Sequence, residues 1–329
     1  MEYSKFILSE IDNEYNGLVN NCDEYNEHDL FRCGMNNKIL YSFSHFYLNN
    51  HSLDSKKDKF SVVAQEGSKW LDRFNRTLDI LSDYLGNQNF VVIKTFKDPL
   101  DVTFDIDIVL KNDLSESISN LAKDNNFNIE EIEGGTELIP DNDDFLVIDV
   151  YKDFSFENKN FTSLDFILKN TRKHEYLGKT YCIPSKESEL LLYISQINFQ
   201  NRFITLHDFI QIKRTVSKSI DWQLLLSEID KYGWKNNFLD TLTIVNGLYL
   251  DLYNEKLNVP IKSNKKFKSK FPVFLSHYSI LKYDFRFFKT LFFKKRISKD
   301  LNFFVYKFIS HNVRKKIPIY RDWINLDCL

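Results

Sequence analysis

The sequence predicts an α+β protein in which a small mixed sheet with flanking helices is followed by a helical domain. Residues 66–86 carry apolar side chains at helical spacing and end at Gly86, a residue that favours a helix stop. Residues 90–184 contain short apolar or alternating segments that are typical of strands. From Ser185 to residue 252 the helical spacing returns. This order of helix, strands and helices is typical of an α+β arrangement.

The same patterns predict the individual elements. Asp113 is a candidate N-cap for a helix over residues 114–123, and Ser185 is one for the helix that follows the last strand. Gly134 and Gly135 predict a turn. Strands are predicted at residues 90–95, 101–110, 127–133, 145–151 and 176–183. Later helices are predicted at residues 203–217, 221–231 and 236–252.

Composition excludes several classes of protein. Of the 329 residues, 43% are hydrophobic and 27% are charged, which indicates a globular chain rather than a disordered one. No apolar stretch approaches the roughly 18 residues that span a bilayer, and the N-terminus lacks the features of a signal peptide. The four cysteines form no C-x-x-C pair, which argues against a zinc site or a disulfide framework. We therefore predict a cytoplasmic protein without a transmembrane segment.

A pair of acidic residues lies in the strand predicted at residues 101–110. Successive side chains of a strand point to opposite faces, so Asp105 and Asp107 share one face while Ile106 and Ile108 share the other. Neighbouring carboxylates repel each other unless a cation lies between them, and Mg²⁺ prefers such oxygen ligands. Acidic pairs are also common on solvated strand faces, so this pair by itself leaves both interpretations open.

A third acid, Asp149, interrupts the apolar strand predicted at residues 145–151. A lone carboxylate among aliphatic neighbours needs a partner, which is either a metal or a Lys or Arg of a neighbouring strand. Three carboxylates on two adjacent strands can hold two metal ions about 4 Å apart, an arrangement that serves in-line attack on phosphorus. Asp149 therefore favours the metal interpretation of Asp105 and Asp107.

The order of these segments resembles that of uncharacterised nucleotidyltransferases of the polymerase-β-like, or minimal nucleotidyltransferase, superfamily. That family has an apolar strand ending in Leu-Lys-Gly, then a strand with the pattern Asp-h-Asp-h, where h is apolar, and a third Asp on a later strand. The strand that ends in Pro184-Ser185 and the Leu-rich helix after it also look similar, and the resemblance covers residues 65–250. The matching motif positions are Lys94, Asp105, Asp107 and Asp149.

The resemblance implies a polymerase-β-like core that transfers a nucleoside monophosphate from an NTP such as ATP to an acceptor. It assigns Asp105, Asp107 and Asp149 as catalytic residues and as ligands of two Mg²⁺ ions. Lys94 and Thr95 are expected to contact the triphosphate, although the glycine of the family's turn is missing there. Lys186 is a further nucleotide-binding candidate, and a solvated helix face is the alternative for it.

Four regions are predicted along the chain. They are an N-terminal helical segment at 1–64, a catalytic core at 65–184, a helical domain at 185–258 and a basic, aromatic-rich helical region at 259–329. The last region contains the segment 261–320, in which Asp284 and Asp300 are the only acidic residues among many Lys and Arg. That segment predicts contact with nucleic acid or an anionic membrane surface, and a helix packed on the body of the protein is the alternative.

Two other functions compete with nucleotidyl transfer. A sugar-nucleotide-dependent glycosyltransferase also uses an Asp-x-Asp metal site, but that class lacks the third strand acid. A non-catalytic protein on a decayed transferase fold would act through the basic segment 261–320 as a nucleic-acid or membrane-surface binder. The acceptor and the choice of nucleotide have no signal in the sequence.

Overall fold

The computed structural model describes most residues between 2 and 261. The described residues are 2–12, 15, 26, 30–31, 33–34, 39–50, 57–96, 103, 105–156, 159–201 and 204–261. They divide into two compact units, one with the described residues up to Glu66 together with 204–207, and one with those of 67–201 and 208–261. The basic segment from residue 262 onwards lies outside the described residues, and the four predicted regions remain predictions.

Two helices, α1 and α2, belong to the first unit. Helix α1 spans Glu2–Ile11 and helix α2 spans Leu40–Asn50. The ring of Phe6 meets the ring of Phe43 edge to face with centroids 6.1 Å apart, and both side chains are buried. Such aromatic pairs add to the stabilisation that burial of the rings provides.

Helix α3 spans Lys57–Leu85. It begins well before residue 66, the start that its periodicity predicts, because buried positions at helical spacing continue back through Val63 and Phe60. The predicted stop at Gly86 is confirmed. Gly86 has a φ of 75°, the left-handed conformation that glycine adopts at helix ends without steric cost.

A seven-stranded mixed sheet forms the centre of the second unit. Its strands, in sheet order, are β3-β4-β5-β2-β1-β9-β8. Strands β2 and β5 are parallel, as are β1 and β9, and the other neighbours are antiparallel. Strands β6 and β7 pair with each other as a two-stranded ribbon and are not hydrogen-bonded to the seven-stranded sheet. The strand bounds are β1 Phe90–Ile93, β2 Asp105–Leu110, β3 Phe127–Ile132, β4 Gly135–Pro140, β5 Val147–Tyr151, β6 Phe154–Phe156, β7 Lys159–Thr162, β8 Thr171–Tyr176 and β9 Lys179–Pro184.

Helices flank the sheet and follow it, so the predicted α+β arrangement is confirmed. Their bounds are α4 Ser115–Asp124, α5 Leu164–Lys169, α6 Lys186–Ser195, α7 Leu206–Val216, α8 Trp222–Lys231 and α9 Lys235–Tyr253, with a π-helical turn at Gln196–Asn201. The predicted cap at Ser185 is confirmed, since its Oγ accepts a hydrogen bond from the backbone N–H of Ser188. Among the described residues no helix combines the length and the apolar character needed to cross a membrane.

Helix α3 covers the face of the sheet opposite to the acidic residues. Cys182 of β9 pairs with Val91 of β1, and the register of β1 against β2 puts both on the same face as Asp107. Tyr181, the neighbour of Cys182, therefore points to the other face. There its hydroxyl lies 3.3 Å from the Oγ of Ser82 in α3. Because α3 covers this face, the acidic residues lie on the other side of the sheet.

Replacement of Gly135 by Ala is expected to lower the free energy of unfolding by about 2 kcal/mol, a typical cost of overpacking. A Cβ at this position would lie 2.5 Å from the backbone oxygen of Val150, so β4 and β5 would have to separate. Gly247 in α9 is the matched control, since a Cβ there meets no atom within 4 Å. Gly247→Ala should stabilise the protein by about 0.5–1 kcal/mol. Urea unfolding measures both, and a Gly135→Ala protein as stable as wild type would contradict the close approach.

Candidate active site

Strand pairing brings the three predicted acids to one face of the sheet. In the parallel pair β2–β5, Asp107 lies opposite Asp149, and Asp105 lies opposite Val147. Directly opposed residues in a sheet project to the same side, and Asp105 shares that side because it is two residues from Asp107. On the other flank of β5, Glu137 of β4 lies opposite Asp149. Four carboxylates from three adjacent strands therefore project from one face.

Asp107 forms a buried ion pair with Lys94. The Nζ of Lys94 lies 2.9 Å from Oδ1 of Asp107, and each side chain is only 10% exposed. Burial by itself would lower the pKa of Lys94, but Asp107 and the hydroxyl of Tyr151 outweigh it and raise that pKa above its usual value. Burial also raises the pKa of Asp107, an effect that Lys94 opposes. The lysine therefore keeps its proton and acts as the counter-ion of Asp107.

Among the described residues no Lys or Arg forms an ion pair with Asp149, although the charge of Lys94 acts to lower its pKa. Its Oδ1 is buried and has no hydrogen-bond partner among the described residues. Burial, together with repulsion from Asp105, Asp107 and Glu137, raises its pKa to about 7. A buried carboxylate oxygen without a donor or a cation is costly, so this position favours the binding of a cation.

Asp105 is oriented by Thr103, which precedes strand β2 by two residues. The hydroxyl of Thr103 donates a hydrogen bond of 2.6 Å to Oδ1 of Asp105. The backbone oxygen of Thr103 in turn accepts a 2.5 Å hydrogen bond from the indole N–H of Trp70, a buried residue of α3. The start of β2 is thus fixed to the long helix, and the carboxylate of Asp105 keeps one oxygen free of this hydroxyl contact.

The turn after β1 places Lys94 on the acidic face. Lys94 has a φ of 57°, in the left-handed region that a residue other than glycine rarely adopts. Its ammonium group donates a 2.9 Å hydrogen bond to the hydroxyl of Tyr151 in addition to pairing with Asp107. Thr95 is buried, and its hydroxyl donates to the backbone oxygen of Ile93 at 2.9 Å. The side chain of Thr95 is therefore engaged within the turn.

Lys186, the remaining predicted nucleotide-binding residue, is the first residue of α6 and is half-buried. In the part of the chain that the structure describes, no hydrogen bond or ion pair joins Lys186 to the carboxylates. Lys94 thus contacts one of the predicted acids, Asp107, whereas Lys186 contacts none of them in the described part of the chain. The structure also adds Tyr151, which sequence analysis did not single out. The sequence pattern that could have identified Tyr151 is its spacing: it follows Asp149 by two residues in the same strand, so both side chains lie on one face.

A small cleft adjoins Lys94 and Tyr151. Strand β5, the β6–β7 ribbon, helix α6 and the start of the π-helical turn supply its walls. Three aromatic rings and several hydroxyl and amide groups face it, so it combines apolar and polar character. The lining residues are Lys94, Tyr151, Phe154, Ser155, Phe161, Leu192, Ser195 and Gln196.

The described residues contain no group of three His, Cys, Asp or Glu side chains arranged to hold a metal ion. At Asp107 the neighbouring cation is the ammonium group of Lys94, 2.9 Å from Oδ1. No protein-family model, curated protein or solved structure matches the chain. The functional interpretation therefore depends on the geometry of Asp105, Asp107, Asp149 and Lys94.

Proposed function

We propose that the protein is a metal-dependent nucleotidyltransferase with a polymerase-β-like core, which transfers a nucleoside monophosphate from an NTP to an acceptor. The observation that supports this most directly is the buried oxygen of Asp149, which has no hydrogen-bond partner in the described part of the chain and lies on the same face as Asp105 and Asp107. Such a cluster of oxygen ligands suits Mg²⁺, which keeps substrate phosphates among its ligands.

The strand order also supports a polymerase-β-like core. A short apolar strand, β1, pairs antiparallel with the strand of Asp105 and Asp107, and the strand of Asp149 lies directly beside it. At the turn after β1, Lys94 matches the lysine of the resembling family, and Thr95 stands where that family has a glycine.

In this proposal Asp105 and Asp107 hold two Mg²⁺ ions, and Asp149 holds the ion next to the acceptor oxygen. Bound there, the ions would neutralise triphosphate charge and steady the leaving pyrophosphate. Lys94 adds a positive charge at the same place, and Thr95 offers a backbone N–H beside it. Thr103 keeps Asp105 oriented through its 2.6 Å hydrogen bond.

A transfer assay tests the proposal. The protein is incubated with labelled NTPs, Mg²⁺ and acceptors from several classes, including nucleic acid, protein and small hydroxyl compounds. Wild type should transfer label, and Asp105→Ala and Asp149→Ala should each lower the rate by about a thousandfold or more, as losses from residues that act as a unit do. Glu131→Gln, an exposed acid on β3 paired with Lys152, is the matched control and should keep the wild-type rate. Full transfer by Asp149→Ala, or none by wild type with any NTP, would reject the function.

A further inference from the structure

Lys94, Asp107 and Tyr151 form a closed set of contacts at the acidic face. The Nζ of Lys94 lies 2.9 Å from both the Oδ1 of Asp107 and the hydroxyl oxygen of Tyr151. The Lys94 side chain is only 10% exposed, so its charge is poorly solvated and depends on these two partners. In the described structure this ammonium group is the cation that neutralises Asp107.

Lys94 also lines the small cleft beside β5. Lys94 lines the cleft together with Ser155, Ser195 and Gln196, whose side chains offer hydroxyl and amide groups. Lys94 thus contacts the carboxylate of Asp107 and also lines the cleft. Its left-handed φ is a strained conformation for a lysine, and such strain is concentrated at binding sites and switch regions.

Tyr151 is well placed to hold the lysine in this position. It follows Asp149 by two residues on β5, and its ring stacks on that of Phe154 with centroids 5.5 Å apart and planes 18° apart. The stacked ring fixes the hydroxyl that accepts the hydrogen bond from Lys94. Replacing Tyr151 by Phe would remove this acceptor and the hydrogen bond between the Tyr151 hydroxyl and Asp107, while keeping the ring and its packing.

We propose that Lys94 is an exchangeable counter-ion that occupies a metal position in the resting site, and that Tyr151 is the residue that positions it. A metal ion arriving alone must displace the ammonium group from Asp107 and is repelled by it. A metal ion arriving with a triphosphate brings a new anionic partner for Lys94, so the lysine can leave Asp107 for phosphate. The site therefore favours the metal–nucleotide complex over the free metal. This inference rests on the proposed nucleotidyltransferase function.

The test is Mn²⁺ binding without nucleotide, measured on the full chain by the loss of the free-ion paramagnetic resonance signal. Lys94→Met should bind Mn²⁺ about tenfold more tightly than wild type, which corresponds to about 1.4 kcal/mol. Tyr151→Phe, which keeps the lysine, should bind it with intermediate affinity. Lys179→Met removes an exposed lysine paired with Asp79 and should match wild type. Asp149→Asn in the Lys94→Met background should abolish the tight site and so locate it.

Nucleotide binding gives the opposite expectation. In the presence of Mg²⁺, Lys94→Met should bind a non-hydrolysable NTP about tenfold more weakly than wild type, because the triphosphate loses a cationic partner. Equal or weaker Mn²⁺ binding by Lys94→Met and by Tyr151→Phe would overturn the counter-ion role, while transfer activity could still be present. Absence of Mn²⁺ binding from every protein, with and without NTP, would instead reject both the counter-ion role and the proposed function.

Discussion

Asp149→Asn is expected to abolish transfer and, at the same time, to raise the free energy of unfolding of the metal-free protein by about 1–2 kcal/mol at pH 8. The carboxylate has a buried oxygen without a hydrogen-bond partner among the described residues, and Asp105, Asp107 and Glu137 repel its charge. Asparagine keeps the shape and removes the charge. The expected change of about 1–2 kcal/mol is smaller than the raised pKa of Asp149 alone would give, because Asp149 is partly exposed and solvent screens the repulsion.

The pH dependence has a definite sign. The pKa of Asp149 is about 7 in the folded protein, mainly through burial and then through repulsion from the neighbouring acids, compared with 3.8 for an ordinary Asp. A group whose pKa rises on folding contributes stability that is fully present below its unfolded pKa and is lost as pH rises through its folded pKa. The stabilisation gained by Asp149→Asn should therefore be large at pH 8 and small at pH 5.

Urea unfolding in EDTA at pH 5 and pH 8 measures this difference directly. Glu131→Gln is again the control, since an exposed acid in a surface ion pair should change stability by less than about 0.5 kcal/mol at either pH. Destabilisation by Asp149→Asn at pH 8 would mean that the carboxylate has a favourable partner in the metal-free protein. The repulsion argued for the acidic face would then be wrong, whatever the outcome of the transfer assay.

The sequence predicted the strands that carry the acids because their patterns are strong. Alternation around Asp105 and Asp107 and the aliphatic neighbours of Asp149 each indicate a strand with one buried face, and β2 and β5 lie where those patterns are. A polar segment is harder to predict. Strand β8, Thr171–Tyr176, is an edge strand without apolar alternation, and only its pairing with β9 defines it. Its register comes from tertiary contacts that a local pattern does not contain.

The ion-pair partner of Asp107 likewise could not be predicted from the local sequence pattern. The residue type at Lys94 suggests a solvated strand end or a phosphate contact, whereas the structure pairs it with Asp107. The direction of the Lys94 side chain follows from its left-handed backbone conformation. A glycine in the sequence would have indicated such a conformation, whereas a lysine does not. The sequence therefore indicated Lys94, Asp105, Asp107 and Asp149, but not the ion pair between Lys94 and Asp107, nor Tyr151 and Glu137 on the same face.

Glu228→Ala is expected to lower the free energy of unfolding by about 3 kcal/mol, the scale of several buried polar groups left without partners. Glu228 of α8 is 2% exposed, and its Oε1 accepts hydrogen bonds from the Thr162 hydroxyl at 3.0 Å and from the backbone N–H and hydroxyl of Ser163 at 3.2 Å each. Its Oε2 accepts from Lys231 at 2.8 Å. Because Ser163 also caps α5, this carboxylate connects α8 to the start of α5.

Glu228→Gln separates the hydrogen bonds from the charge. The amide oxygen can still accept from Thr162 and Ser163, but the attraction to Lys231 is lost, so a cost of about 1–2 kcal/mol is expected. Burial tends to raise the pKa of Glu228, yet the hydrogen bonds from Lys231, Ser163 and Thr162 hold it below its usual value. A lowered pKa contributes stability above the unfolded value and loses it as pH falls through the folded value.

Glu228→Gln should consequently differ most from wild type near neutral pH and approach it as pH falls through the folded pKa of Glu228, whereas Glu228→Ala keeps the cost of the hydrogen bonds that it loses. Chemical unfolding at pH 7 and pH 3.5 measures this, with Glu116→Ala on the surface of α4 as the control that should stay within about 0.5 kcal/mol. A loss below 1 kcal/mol for Glu228→Ala at pH 7 would show that Thr162 and Ser163 find other partners. The larger loss would instead establish that one carboxylate of the helical region stabilises the chain segment that follows β7.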